Sequence, residues 1–244
     1  MITLLRYLYL FWLAFWFVGG FLFLYPIFWL IIQNKKWHFL YYPITKVWAY
    51  FFYFIIGVPV KTRFEFKPDP QQRYVYCPNH FSVLDIHLLT RTMPAYFAFV
   101  GLHDLLKVPL FGYFYRNFHI TVNRQSLRDR YNSYLKCKEA IQNGKNLVIF
   151  PEGGIWTTDF PNLSEFKEGP FRIAIELQIP IVPVTIPYNW KMLPVYDFKR
   201  LAWHSQEVIF HQPIETKGMN VKELELILNQ TYEVIDEQLK KSCD

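Results

Sequence analysis

The sequence predicts an α/β protein in which an N-terminal aromatic, membrane-embedded helix pair precedes a mixed, mainly parallel sheet covered by helices. Three observations lead there. Residues 7–32 run for 26 positions without a charged side chain and are rich in Phe, Trp, Tyr and Leu. A second apolar segment, residues 39–60, follows after Lys35 and Lys36. From Lys61 the composition turns to that of a polar domain, and short apolar runs alternate with stretches of helical period, as in a sheet covered on its faces. The expected domains are residues 1–60, a membrane-associated helical hairpin, and residues 61–244, the α/β domain.

As one helix, residues 7–32 would span about 39 Å, more than the ~30 Å hydrocarbon core of a bilayer. Gly19-Gly20 and Pro26 predict a kink or a break. The run is too long and too aromatic for a signal peptide and lacks a small-residue cleavage site. Residues 39–60 carry Pro43 and Lys46 among further Tyr, Trp and Phe residues, whose polar-tipped rings favour the headgroup region. Either the first segment spans and the second lies on the surface, or both form a hairpin sunk into one leaflet. Lys35-Lys36 between the segments and Lys46 inside the second favour the hairpin. A core hairpin of a soluble protein is disfavoured, because a helix apolar all round needs apolar surroundings on every side.

Further on, residues 63–67 alternate like an edge strand, and Pro68-Asp69-Pro70 makes a turn. Residues 74–77 read as a strand, 86–89 as helix, and 96–100 as a third strand followed by a short helix around 104–107. Residues 109–113 are apolar and aromatic, and 119–122 form a strand ending at Asn123-Arg124. Ser126 to Asp129 resembles a capping box opening a helix to about Gln142, closed by Asn143-Gly144. Residues 146–150 are a buried strand running into Pro151-Glu152-Gly153-Gly154. Helix over 168–178, strand over 181–186 despite Pro183, and a late strand at 208–210 complete the sheet. Asn220 to Glu223 caps a last amphipathic helix to about Lys240, its apolar side built on Val221, Leu224, Leu228, Ile235 and Leu239.

Charge is unevenly placed. Residues 1–60 hold Arg6, Lys35, Lys36 and Lys46 but none of the 20 acidic residues, so most of the net +6 belongs to the apolar N-terminus. There it suits an anionic membrane surface, at about 1 kcal/mol per charge. The polar part has no Lys/Arg-dense stripe or recognition motif, which argues against nucleic acid as a partner. Cys77, Cys137 and Cys243 are widely spaced and read as reduced thiols of a cytosol-facing protein. His80, His87 and His103 lack the spacing of a zinc-binding helix pair, and no metal site is expected.

The chemistry concentrates in Asn79-His80-Phe81-Ser82-Val83-Leu84-Asp85. A spacing of five puts two side chains on different faces of a regular helix, so pairing requires a bend between them. A strand-to-helix turn supplies one, with His80 in the loop and Asp85 in the first helical turn, where negative charge is favoured. The carboxylate could then hold one imidazole nitrogen while the other works as a base. The same spacing also suits a loop histidine beside a helix-capping aspartate.

Four stretches in order narrow the reading: NHFSVLD at 79–85, the segment from Lys107 through GYFYRNFHITVNR ending at Arg124, FPEGG at 150–154, and IVPVTI at 181–186. Together they resemble the four blocks of the glycerolipid acyltransferase family, closest to the bacterial 1-acyl-sn-glycerol-3-phosphate (lysophosphatidate) acyltransferases. The resemblance covers about residues 60–215, and the aromatic helix pair suits that subgroup. It implies transfer of a fatty acyl chain from a thioester, acyl-CoA or acyl carrier protein, to the sn-2 hydroxyl of lysophosphatidic acid, giving phosphatidic acid. It implies no cofactor beyond that co-substrate, and a cytoplasmic-membrane enzyme with its catalytic domain facing the cytosol, partnered by membrane lipids. By the same resemblance, His80 is the general base and Asp85 its orienting partner. Arg124, Glu152 and Gly153 lie around the acceptor, Pro183 shapes the site, and Lys107 and Lys167 occupy further substrate-binding positions. One departure stands out. The third block usually reads Phe-Pro-Glu-Gly-Thr-Arg, with the arginine associated with the acceptor's phosphate, whereas Gly154 and Ile155 stand here. Either Lys107, Arg124, Lys167 or Arg172 takes over, or the acceptor head group is not a simple phosphate.

An alcohol is a poor nucleophile at neutral pH, and a neutral imidazole can take its proton as it attacks the thioester carbonyl. Asp85 would fix the tautomer and stabilise the transient imidazolium. The substrate hydroxyl then stands where a catalytic serine would. Cys77 offers an alternative acyl-cysteine route, although strand-end cysteines are commonly small buried apolar residues. Ser82 reads as a turn hydroxyl, there being no GxSxG elbow. Glu152 reads as an anchor of its turn, and the aromatics at 109–113 suit core or acyl-chain lining equally. A non-enzymatic membrane adaptor would have no use for the His80–Asp85 pair.

Overall fold

Short apolar runs separated by helices assemble into a seven-stranded sheet in the order β1-β7-β6-β2-β5-β3-β4. The computed structural model describes residues 2–122, 127–196 and 201–243. The strands are β1 (Val60–Phe64), β2 (Val75–Pro78), β3 (Phe97–Leu102), β4 (Ile120–Val122), β5 (Asn146–Val148), β6 (Ile181–Thr185) and β7 (Gln206–Phe210). Pairs from β6 through β2, β5 and β3 to β4 are all parallel, β7 lies antiparallel to β6, and β1 pairs parallel with β7. The expected mixed, mainly parallel sheet is present.

Alternation along the strands separates two cores, because successive side chains point to opposite faces. Tyr74 and Tyr76, Phe97 and Phe99, Val182 and Val184 enter one buried cluster together with Leu88 and Leu89 of α3 (Leu84–Thr92). Val75 and Cys77, Ala98 and Val100, and Ile181 enter another. That second face is covered by α5 (Leu127–Gln142), α6 (Gly169–Leu177) and α8 (Leu224–Cys243). The Asn220–Glu223 capping box forms, with the Asn220 side chain accepting from Lys222 N–H and Glu223 Oε2 accepting from Asn220 N–H. The buried stripe of α8 differs from the expected one. It runs through Leu224, Ile227, Thr231, Ile235 and Leu239, while Val221 is exposed, because residues 221–223 form a tighter 3-10 turn that rotates Val221 off the stripe.

The N-terminal segments form α1 (Ile2–Gln33) and α2 (Tyr41–Ile55), joined by a 3-10 turn over Lys35–Leu40. Of the kink or break expected at Gly19-Gly20 and Pro26, the break does not occur: α1 is continuous with Pro26 inside it. Gly20 serves closeness instead, since a Cβ there would fall on the Trp48 indole of α2. α1 is long and apolar enough to cross a membrane by length and composition, and it is mostly exposed. α2 is tied inward. Tyr42 Oη and Lys46 Nζ both donate to the Met93 carbonyl at the end of α3, at 2.7 and 2.8 Å. Phe52, Tyr53 and Ile56 share the buried cluster of the sheet's first face. Phe111 and Phe114 of α4 (Phe111–Phe118) meet Phe21 and Phe28 of α1, so the aromatics near 109–113 serve largely as packing, with Tyr113 exposed.

From β2 the chain passes through α3 to β3 on one side, whereas β5 returns through α6 to β6 on the other. The carboxyl ends of β2, β5 and β6 therefore meet where the strand order diverges, the place where open α/β sheets form their crevices.

Candidate active site

β2 ends at Pro78, and the next five residues make the turn into α3. Asn79 locks the start of this loop to the end of β6: its amide donates to Ile186 O at 3.0 Å and its Oδ1 accepts from Ile186 N–H at 2.7 Å. His80 follows in the loop and Asp85 sits in the first turn of α3, as the spacing predicted. His80 Nδ1 and Asp85 Oδ2 are 2.9 Å apart. The same oxygen accepts the backbone N–H groups of Phe81 and Ser82 at 2.8 and 2.9 Å, and Asp85 is fully buried. An ionised carboxylate only accepts, so Nδ1 is the donor in this contact and Nε2 is the ring nitrogen that Asp85 does not engage. The imidazole stacks on Phe150 at 3.9 Å between ring centroids, and its side chain stays 11% exposed. Ser82 Oγ donates to Leu193 O and accepts from Leu84 N–H, the turn role expected of it.

The turn after β5 grips the same loop. Glu152 Oε1 accepts the His80 backbone N–H at 2.7 Å, and Oε2 accepts that of Ser164 at 3.0 Å. Burial pushes the Glu152 carboxyl up to about 7, against the pull of those two backbone donors and of His80. Gly153 takes φ 76, a left-handed conformation that glycine adopts without steric cost. Gly154, the departure from the usual block, also has a local reason. A Cβ there would lie 2.6–2.8 Å from the Trp156 indole, whose Nε1 donates to Glu152 O at 3.1 Å. Glycine thus lets Trp156 close over the turn.

The cationic substrate-binding candidates are less converged. Lys107 is exposed and pairs with Asp104 at 2.6 Å. Lys167 pairs with Glu165 at 2.9 Å, and together with Glu152, Trp156 and Ser164 these two line a pocket of about 310 Å³. Arg172 pairs with Glu168 at 3.5 Å along α6. Arg124 lies outside the described residues. Pro183 is buried in β6 opposite Cys77 of β2. The Cys77 thiol is fully buried, and burial raises its pKa far above that of a free thiol, which opposes thiolate formation.

A family model described as Acyltransferase matches residues 60–187, more than half of the chain. The chain belongs to the acyltransferase family. It is 27% identical over 182 residues to the chloroplastic 1-acyl-sn-glycerol-3-phosphate acyltransferase BAT2 of Brassica napus, covering 74% of this chain and 51% of that protein. It is 32% identical over 136 residues to the 1-acyl-sn-glycerol-3-phosphate acyltransferase of Saccharomyces cerevisiae, covering 54% and 44%. A probable 1-acyl-sn-glycerol-3-phosphate acyltransferase of Mycoplasma pneumoniae is 25% identical over 186 residues, covering 71% and 69%. The chain spans about half the length of the Brassica relative. The crystal structure of the 1-acyl-sn-glycerophosphate acyltransferase PlsC from Thermotoga maritima matches at TM-score 0.73 and 20% identity, over 98% of this chain and 95% of that one. The two share a fold.

In this member of the family, several residues around the pair escaped sequence reasoning. Asn189 of α7 (Asn189–Met192) donates its Nδ2 to Asp85 Oδ1 at 2.8 Å, from 104 positions away. Phe150, read as a strand end and the first residue of the third block, carries the His80 ring. Ser164 offers the second amide to Glu152. Their roles exist only between segments, and no spacing within the chain announces them.

Proposed function

We propose that this acyltransferase moves a fatty acyl chain from acyl-CoA or acyl-ACP to the sn-2 hydroxyl of lysophosphatidic acid, giving phosphatidic acid, with His80 as general base. The observation that carries the reading is the 2.9 Å contact between His80 Nδ1 and the buried, fully hydrogen-bonded Asp85, which leaves Nε2 as an acceptor. The names of the relatives in Brassica, yeast and Mycoplasma support the acceptor. In the proposed step Nε2 takes the acceptor's hydroxyl proton as that oxygen attacks the thioester carbon. The C–S bond then breaks, and the proton passes from the imidazolium to the leaving thiolate. Asp85 stabilises the imidazolium while it lasts. Glu152 fixes the loop through the His80 amide, and Gly153 and Pro183 shape the walls.

Membrane and chemistry then fit together. A lysolipid rests in the leaflet with its hydroxyl near headgroup depth, and the exposed apolar surface of α1 and α2 holds the domain at a cytosolic membrane face. Lys107, Arg124 and Lys167 are offered as acceptor-binding cations. His80→Ala should lower turnover about 10²–10⁴-fold with lysophosphatidic acid and either donor. Near-normal turnover in that variant refutes the base assignment.

A second reading keeps the chemistry and changes the acceptor to another lysolipid. Ile155 favours it, standing where the family's third block usually has arginine, as does the pairing of Lys107, Lys167 and Arg172 with neighbouring carboxylates. A panel of lysolipids differing only in head group, assayed with the purified protein in bilayer discs, separates the two.

A further inference from the structure

Asp85 divides its hydrogen bonds unequally. Oδ2 faces His80 Nδ1 and two backbone amides, whereas Oδ1 has one partner among the described residues, the Asn189 side-chain amide at 2.8 Å. Both residues are fully buried. Since the carboxylate only accepts, the NH₂ group of Asn189 must face it. That orientation leaves Asn189 Oδ1 buried with no hydrogen-bond partner among the described residues, an arrangement that opposes stability. Leucine would fill a similar space without orphaning a polar atom, so packing alone gives no reason for an amide here.

We infer that Asn189 is a positioning residue that holds Asp85 against His80 and thereby governs the proton affinity of the pair. The inference rests on the reading of His80 as general base. Its physical basis is that the deprotonated pair carries the net negative charge, and every N–H aimed at Asp85 favours that form. Asn189 is the side-chain donor to the oxygen that His80 does not use. Without it, Oδ1 would face a dry interior, the pair would hold its proton more tightly, and the carboxylate would be free to turn away from the imidazole. The other titratable groups facing the pair are Glu152, which takes the His80 backbone N–H, and Tyr53 of α2, which lies within electrostatic range of Asp85. Substitution at 189 alters neither.

Asn189→Leu and Asn189→Asp form the test, the first removing the donor and the second placing a carboxyl of the same shape against Asp85. The acidic limb of kcat/KM should move up by about one pH unit in Asn189→Leu. It should move further in Asn189→Asp, where like charges crowd one site. KM for donor and acceptor should stay within about twofold while kcat falls, on the order of tenfold. NMR titration of the His80 ring, read without turnover, should show the same rank order: wild type lowest, then Leu, then Asp. Thermal melting identifies any variant that fails to fold, and the isosteric Asp variant carries the test if Leu does not fold. A folded variant that titrates His80 within about 0.3 units of wild type overturns the inference. Because the ring titration is independent of rate, an active His80→Ala protein would sink the base assignment while the Asn189 coupling could still be read.

Discussion

The helix pair and the His80 loop invert each other. In α1 and α2 large apolar side chains point outward: Phe23 and Phe54 are 81% and 80% exposed, with Phe11, Phe51 and Val47 also on the surface. In and around the loop polar side chains are buried: Asn79, Ser82 and Asp85, with Glu152 from the turn after β5 and Asn189 from α7, are all fully enclosed. Each region is stable only with the right surroundings. An exposed face of Phe, Trp and Leu this extensive calls for apolar surroundings, here proposed to be lipid. A buried polar loop needs a protein donor or acceptor for nearly every atom, because an unmade bond costs about 1–3 kcal/mol. The first region therefore tolerates change that keeps it greasy, and the second tolerates almost none.

The sharpest way to break this contrast is Asp85→Asn. An amide at 85 removes the negative charge that stabilises the imidazolium, and it brings an NH₂ group either to the Phe81 and Ser82 N–H groups or to the Asn189 amide, each of which donates to Asp85. Turnover should fall by about 10³–10⁴-fold, as read by steady-state assay beside a thermal melt. Next is the helix pair. Phe23→Glu with Phe54→Glu should reduce binding to lipid vesicles by at least about 10²-fold, each lost ring contributing roughly 1.5–3 kcal/mol of burial. Cosedimentation measures it, and unchanged binding would mean these rings do not meet lipid.

Glu152 gives a pH test of the buried region. Its folded-state pKa is raised to about 7, above the ordinary carboxyl value of 4.5. The folded protein therefore holds this proton where the unfolded chain has lost it, and stability from this group falls as pH rises from about 4.5 to 7. Glu152→Gln should flatten that part of the melting-temperature profile; an unchanged slope would contradict the assignment. The smallest effect belongs to Gly154→Thr, which restores the usual block. The new Cβ should displace Trp156, break its bond to Glu152 O and cost about 1 kcal/mol. A change in Trp156 fluorescence should accompany the loss, and Gly154→Thr with Trp156→Ala should relieve it.

Local features were legible in the chain. The His80–Asp85 pair was readable because a strand end, a loop and a first helical turn bring residues five apart close together. The Asn220 capping box was readable for the same reason. Pattern also foretold two faces for the sheet, since period-two alternation is written in each strand. Expectations went astray where distant neighbours decide. Gly19-Gly20 and Pro26 suggested a kink or a break; the helix does not break, and contact with Trp48 across the hairpin makes Gly20 a packing residue within it.

By itself, then, the sequence determined the order of elements, the greasy N-terminus, the alternating sheet and the imidazole beside a carboxylate, all set by neighbours within a few residues. Only the tertiary structure decided what completes that pair. Asn189 on Asp85, Glu152 on the His80 amide and Phe150 under the ring are joined across 104, 72 and 70 positions. A hydrogen bond or a ring stack depends on ångström-scale placement, which a chain acquires only when β2, β5 and β6 lie side by side.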